Sequence, residues 1–387
     1  MKKILYLVLC LTVFLRSPLS VMAEEELPES RLHAASACLM DAASGRVLYG
    51  KAEEEPLPMA STTKIMTLIV ALEEGNEEEM ATVSELAASQ PKVKMGMSPG
   101  EQYRLKDLYY LMMLESWNDT AVVIAEHIGG SVETFCQMMT EKAREIGAMH
   151  TSFMTPNGLD EEGHYTTATD MARIMAYALK NEEFREIVNT ESYTMSTEAG
   201  NSRGATAHNH NPLLGVYEGI NGGKTGYTDE AGLCLVEAAE REGVQLVAVV
   251  LGSGWPPHSN YRVEDAKKLL NLGFTEYDFK TLVEAGTPAE ETINVAGGTV
   301  DYVTCRVTSD FSYYVSEEDR IELSYDIPYS IPAPVQKGDI VGAVSVYVNG
   351  TPVGILDLAA DQSCERRNIS YYWDRLWNCF TFLITPI

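Results

Sequence analysis

The hydrophobic period of this chain changes twice, and that double change constrains its fold more than any other feature. Residues 34 to 50 (AASACLMDAASGRVLYG) alternate apolar and polar side chains around Ala43-Ser44-Gly45. A period of two broken by a turn predicts a β-hairpin. After Pro58 the period becomes helical. Ile65, Met66, Ile69, Val70 and Leu72 share one face before a stop at Gly75. The pattern resumes over 105–149, with breaks at 115–119 and Gly129-Gly130, and a further helix is expected over 168–180 behind a cap at Thr169 or Asp170. From Gly219 short strands return in KTGYT, GLCLVEAAE and VQLVAVVLG, followed by a helix from Tyr261 to Leu272. Strands on both sides of a helical middle bury one another best by joining one sheet. The expected fold class is therefore α/β in the α+β sense: a mostly antiparallel sheet, flanked by helices, using both the start and the finish of the domain.

The rest divides by composition. Lys2 and Lys3 precede an apolar run from Ile4 to Leu15 and the small-residue ending Val21-Met22-Ala23, so residues 1–23 read as a secretory signal peptide. Arg16 ends that run short of the ~20 residues a membrane span needs. A main domain over 24–276 is expected next, then a small β-rich domain over 277–363, where Val, Thr, Tyr, Gly and Pro alternate. Residues 364–387 read as an amphipathic helix. In RRNISYYWDRLWNCFTFLI, Ile369, Tyr372, Trp373, Leu376, Phe380, Leu383 and Ile384 recur at helical spacing, with Arg367, Ser370, Asp374, Arg375 and Asn378 on other faces. Trp, Tyr and Arg suit a membrane interface, so the expected location is the outer face of the cytoplasmic membrane, on the cell-wall side. A terminal helix docked on the β domain is the other reading.

The formal charge of −27 argues against nucleic acid or any other polyanionic partner. Beyond the leader the cysteines (Cys38, Cys136, Cys234, Cys305, Cys364, Cys379) show no paired spacing and sit mostly among apolar neighbours, so buried free thiols are expected. His208 and His210 share one face of an extended strand, but no third ligand is suggested nearby and no metal or other cofactor is expected.

Three short patterns carry chemistry: Ser61-Thr62-Thr63-Lys64, Ser116-Trp117-Asn118 and Lys224-Thr225-Gly226, in that order. Each alone is weak, and Ser89-Gln90-Pro91-Lys92 repeats the first. There, however, Pro91 would interrupt a helix between the serine and the lysine. Ser61 instead opens an apolar helix with Lys64 one turn on along the same face. A lysine amine can take a serine proton only where burial or a nearby positive charge lowers its own proton affinity, and Lys224 is the candidate for that charge.

The ordered triple resembles the signature of penicillin-binding proteins and class A β-lactamases. The stretches MDAASGRVLYGK, PMASTTKIMT, NGLDEEGHYTTATDMARIM and GGKTGYTDEAG are similar, phrase by phrase, to low-molecular-mass penicillin-binding proteins that act as serine D-alanyl-D-alanine carboxypeptidases of peptidase family S11. The resemblance implies the penicillin-binding, β-lactamase-like transpeptidase fold. It implies that Ser61 attacks the carbonyl between two D-alanines and Lys64 accepts its proton. Ser116 would relay a proton to the leaving D-alanine, and Asn118 would hold the substrate amide and the Lys64 amine. Lys224 and Thr225 would bind the terminal carboxylate, Gly226 would let substrate lie along the strand, and the N–H groups of Ser61 and Tyr227 would form the oxyanion hole. The implied partners are peptidoglycan stem peptides ending in D-Ala-D-Ala, with β-lactams as covalent inhibitors.

Trp117, where related enzymes carry smaller residues, and Tyr227, where some carry histidine, leave substrate preference open. So does the choice between carboxypeptidase and D,D-endopeptidase. A β-lactamase fits less well, because no Glu-x-x-Leu-Asn segment lies between Asn118 and Lys224. A non-catalytic wall-sensing module would have lost Ser61, Lys64 or Lys224. Arg262, which begins the helix after the strands, could help hold a carboxylate, but a surface or helix-end arginine is the expected reading and it is left outside the site.

Overall fold

The computed structural model describes residues 31–384 except Ser259, so the expected leader at 1–23 lies outside the described residues. The chain opens with β1 (Ser36–Asp41) and β2 (Val47–Lys51), turned by the Asp41 carboxylate, which accepts the backbone N–H of Ser44 at 3.1 Å. A 3-10 turn (Ala60–Thr63) runs into α1 (Lys64–Glu74). The ribbon β3 (Met80–Thr82) and β4 (Gln102–Arg104) encloses the one-turn α2 (Glu85–Ala88). Helices α3 (Leu105–Glu115), α4 (Asn118–Gly129), α5 (Val132–Ile146), α6 (Ala168–Ala178) and α7 (Glu182–Asn189) follow. A second ribbon, β5 (Ser192–Met195) with β6 (Ala205–His208), leads to β7 (Ile220–Thr228), β8 (Gly232–Arg241), β9 (Val244–Leu251) and α8 (Tyr261–Glu276).

The five long strands form one antiparallel sheet in the order β2-β1-β9-β8-β7. β1, from the start, pairs with β9, from the finish, in register from Ser36↔Leu251 to Asp41↔Leu246, as the two changes of period require. Ala266, Leu269 and Leu270 of α8 are fully buried, and so are Ile65, Met66 and Leu68 of α1 and Met171 and Ile174 of α6, which belong with Cys38, Met40, Val247 and Val249 to the main core. β1 is buried along its whole length, and β8 and β9 along most of theirs.

Local details differ from the sequence reading. The cap of α6 is Thr167, whose hydroxyl oxygen accepts the Asp170 N–H at 3.1 Å. Thr169 and Asp170 are buried inside its first turn, where the Asp170 carboxylate accepts from His150 N at 2.6 Å and Thr151 Oγ1 at 3.0 Å. α8 runs four residues past Leu272, to Glu276. The two short ribbons and α2 are too brief to show a countable period.

The second part comprises β10 (Tyr277–Val283), β11 (Ile293–Ala296), β12 (Tyr302–Val303), β13 (Cys305–Val307), β14 (Phe311–Ser316), β15 (Ile321–Asp326), β16 (Ser330–Pro332), β17 (Ile340–Val348) and β18 (Thr351–Ala360). It has its own core around Ile293, Val303, Val344, Val346 and Leu358. Arg46, from the β1–β2 turn, ties the two parts together. It pairs with Asp319 at 2.6 Å and lies over the Tyr277 and Tyr313 rings. The chain closes with α9 (Ile369–Ile384). Residues 364 and 366 still bridge to the β-rich part, at Val335 and Gly298. Of the six cysteines among the described residues, five are buried free thiols; Cys379, on α9, is exposed.

The two ends of the main sheet meet at Asp265. Its carboxylate, fully buried on α8, accepts Ala34 N and Ser253 Oγ, each at 2.8 Å. Removing it strands two buried donors, each worth ~1–3 kcal/mol when left unpaired. Asp265→Ala is expected to lower the unfolding free energy by about 3 kcal/mol in urea titrations at unchanged m-value, and a loss below about 1 kcal/mol would show that this clasp is not needed.

Candidate active site

Two corners with unusual backbone position the site. Ala60, at the head of the 3-10 turn, has φ 50°, and Ser116, between α3 and α4, has φ 61° and ψ 27°. Non-glycine residues hold this left-handed conformation at a cost of ~1–3 kcal/mol, and only where the surroundings enforce it. Asp119 is one enforcer. Fully buried at the start of α4, its carboxylate accepts from Met95 N at 3.0 Å and Gly96 N at 2.8 Å, drawing the preceding loop over the Ser116 corner. Ser61 sits in the 3-10 turn, and Lys64 is the first residue of α1, one turn on.

The three motifs converge. Lys64 Nζ lies 2.9 Å from Ser61 Oγ, 3.1 Å from Asn118 Oδ1 and 2.5 Å from the Asn157 carbonyl oxygen. Lys224 Nζ donates to Ser116 Oγ at 3.1 Å and to Thr225 O at 3.1 Å. β7 is the edge strand of the sheet. A Cβ at Gly226 would stand 3.0 Å from Ser61 N, so a side chain there would push this edge off the serine turn. Tyr227 follows, 40% exposed, with its hydroxyl donating to Asp229 at 2.7 Å.

Burial strips both lysines of water. It drives the Lys64 ammonium well below the usual lysine range, and the Lys224 charge pushes the same way while Asp119 opposes. Lys224 is lowered to about 7 by burial and then by the Arg262 guanidinium. An ammonium at Lys64 satisfies its three neighbours with three N–H groups. The neutral amine still serves the two carbonyl oxygens with two N–H groups and turns its lone pair to the Ser61 hydroxyl.

Residues outside the motifs complete the arrangement. The Asn157 carbonyl was not legible as a partner, because a main-chain oxygen has no residue-type signature. The Asn157-Gly158 turn is the trace it leaves: Gly158 has φ 83°, and a Cβ there would fall 2.0 Å from Ala60 O. Arg262 corrects the surface reading. Its guanidinium reaches back from α8 to Gly226 O at 3.0 Å and braces β7 from behind. The Ser89–Lys92 repeat is no nucleophile segment, since α2 ends at Ala88 and Ser89 Oγ donates to Leu86 O. It borders the site instead, with Gln90 accepting from Asn157 Nδ2 at 2.9 Å and Pro91 O facing Asn118 Nδ2 at 3.4 Å. Trp117 is half-buried and packs against the main core. His210 pairs with Glu115 at 3.0 Å, and among the described residues no group of three metal-ligating side chains occurs.

The family model for D-alanyl-D-alanine carboxypeptidases of peptidase family S11 matches residues 21–254, and that for the C-terminal domain of penicillin-binding protein 5 matches residues 277–366. The D-alanyl-D-alanine carboxypeptidase DacF of Bacillus subtilis is 32% identical over 356 residues, 90% of each chain. DacC of Escherichia coli is 28% identical, over 95% of this chain and 92% of the relative. Among solved structures, penicillin-binding protein 5 of Haemophilus influenzae superposes with a TM-score of 0.67 at 27% identity, covering 87% of this chain and 98% of that one. A half-buried serine beside a buried lysine, a lysine-bearing sheet edge, the two-part architecture and these similarities converge: the chain belongs to the S11 serine peptidases, the D-alanyl-D-alanine carboxypeptidase family.

Proposed function

We propose that this enzyme removes the terminal D-alanine of peptidoglycan stem peptides through an acyl-enzyme on Ser61. The observation that carries the reading is Lys64, held 2.9 Å from Ser61 Oγ in a site that disfavours its charge. As Ser61 Oγ bonds to the carbonyl carbon of the penultimate D-alanine, its proton passes to the neutral Lys64 amine. The carbonyl oxygen becomes an oxyanion between the N–H groups of Ser61 and Tyr227. Collapse breaks the C–N bond, and the departing D-alanine nitrogen takes a proton through Ser116, 3.1 Å from Lys224 Nζ. Water then hydrolyses the ester. Lys224 and Thr225 bind the terminal carboxylate, Gly226 lets the peptide lie along β7, and Asn118 holds both the substrate amide and Lys64.

A β-lactam presents the same carbonyl but keeps its leaving group tethered, so the acyl-enzyme persists. Benzylpenicillin is expected to add covalently to Ser61, read by mass spectrometry of the labelled peptide. Ser61→Ala should abolish labelling, and Lys64→Ala should slow acylation by about 10² to 10⁴. A label on another peptide would remove Ser61 from this role.

The two lysines set opposite limbs of a pH profile. Lys64 must be neutral, so activity rises as pH climbs through its lowered pKa. Lys224 must be charged to draw the carboxylate, so kcat/KM in the free enzyme falls as pH passes about 7. Bound carboxylate favours the Lys224 cation, which places the descending limb of kcat at higher pH than that of kcat/KM. Lys224→Arg stays charged and should lose the descending limb whatever its absolute rate. Retention of that limb would assign it to another group.

We further propose that residues 1–23 direct export and that α9 holds the enzyme on the outer face of the cytoplasmic membrane. Ile369, Tyr372, Trp373, Leu376, Trp377 and Phe380 are all more than half exposed, unlike the side chains of a docked helix. No helix among the described residues is long and apolar enough to cross a membrane, so a helix lying in the interface fits the sequence. Ending the chain after Asn368 preserves the Arg366 bonds to Ala333 O and should release the enzyme from sedimenting vesicles with full activity on small peptides. Continued co-sedimentation would eliminate α9 as the anchor.

A further inference from the structure

The chemistry described so far makes no use of His164, although this residue is only 6% exposed and lies close behind the Ser61 turn. Its neighbours determine its tautomer. Nδ1 accepts the backbone N–H of Met154 at 3.0 Å, so the ring proton is on Nε2 and is donated to Thr63 Oγ1 at 2.9 Å. The Thr63 hydroxyl in turn donates to Ala60 O at 2.8 Å. Burial lowers the imidazole to about 4, so the ring is neutral and keeps this direction of donation through neutral pH.

The end point gives this relay its meaning. The Ala60 carbonyl and the Ser61 N–H are two ends of a single planar peptide unit. Whatever fixes the carbonyl also aims the N–H, and a hydrogen bond accepted at the oxygen strengthens donation at the nitrogen. The unit follows a residue with φ 50°, so its orientation depends on outside restraint. Gly158 closes against the same oxygen, leaving no room for a Cβ. Oxyanion donors act only when aimed ~2.7–3.1 Å from the position the oxygen reaches in the transition state.

We propose that His164 is a positioning residue for acylation: through Thr63 it holds and polarises the Ala60–Ser61 peptide, whose N–H stabilises the oxyanion. The proposal rests on Ser61 being the nucleophile. Wild-type labelling by benzylpenicillin tests that reading separately, since a label away from Ser61 would overturn it before the relay is considered.

The experiment uses the full chain with Thr63→Val, Thr63→Ser, His164→Leu and the Thr63→Val/His164→Leu double variant. Valine matches the shape of threonine but ends the relay, whereas serine keeps it. An oxyanion effect acts on kcat and spares KM, so Thr63→Val and His164→Leu should each lose about 10- to 100-fold in kcat, less than the ~10²–10³ that deleting a donor costs. Thr63→Ser should recover most of the loss, and the double variant should be little worse than either single one. The penicilloyl ester made with 13C-labelled β-lactam carbonyl provides a direct readout: its infrared stretch should move to higher frequency in Thr63→Val and return in Thr63→Ser. Should His164→Leu fail to fold, the valine–serine pair still decides. An unshifted band in Thr63→Val, equal losses in Thr63→Val and Thr63→Ser, or multiplicative losses in the double variant would overturn the relay.

Discussion

The site depends on one amine being kept out of water. Lys64 is fully buried, and among the described residues its hydrogen-bond partners are a hydroxyl and two carbonyl oxygens, which serve the charged and the neutral amine alike. Burying an ammonium without a carboxylate partner is costly, and lysines placed this way give up their proton instead. The fold bears that cost because the same residue begins the central helix of the main core, where Ile65, Met66 and Leu68 contribute ordinary apolar burial. A basic amine is therefore assembled from hydrophobic packing.

The sheet explains how distant segments reach that amine with little tolerance. Its first strand is locked between strands from both ends of the segment, and its last strand is an edge held by β8 on one side and by Arg262 from behind. An edge strand that is braced but unpaired along its outer side offers main-chain hydrogen bonds to an extended peptide. Gly226 keeps that edge against the serine turn. Rigidity comes from the scaffold and access from the edge.

Much of this was legible in the sequence because it lies in side-chain periodicity and motif order. The β1–β9 pairing follows from the two changes of period, and Ser61, Lys64, Ser116, Asn118 and Lys224 meet as their motifs suggest. Other features do not leave that kind of mark. The Asn157 carbonyl belongs to the backbone. Arg262 sits at the start of a helix, where solvent is the ordinary expectation, and only the packing of α8 against β8 and β9 turns it inward, toward Gly226 O. His164 lies in a stretch whose resemblance was evident, yet its partner Thr63 is one hundred and one positions earlier in the chain, and no local pattern links them. The α6 cap moved from Thr169 or Asp170 to Thr167 because Asp170 is recruited by His150 and Thr151.

The Lys224 charge, felt at Lys64, also makes the base responsive to what occupies the cleft. Burial first, and then positive charge on Lys224, hold the Lys64 amine a weak proton acceptor. On the proposed reading, a carboxylate settling on Lys224 would cancel part of that field and strengthen Lys64 as a base when Ser61 has to lose its proton. An uncharged ligand leaves the field in place. Preference for a free carboxyl terminus would then be expressed in the bond-making step as well as in docking, and the substrate would switch on its own attack.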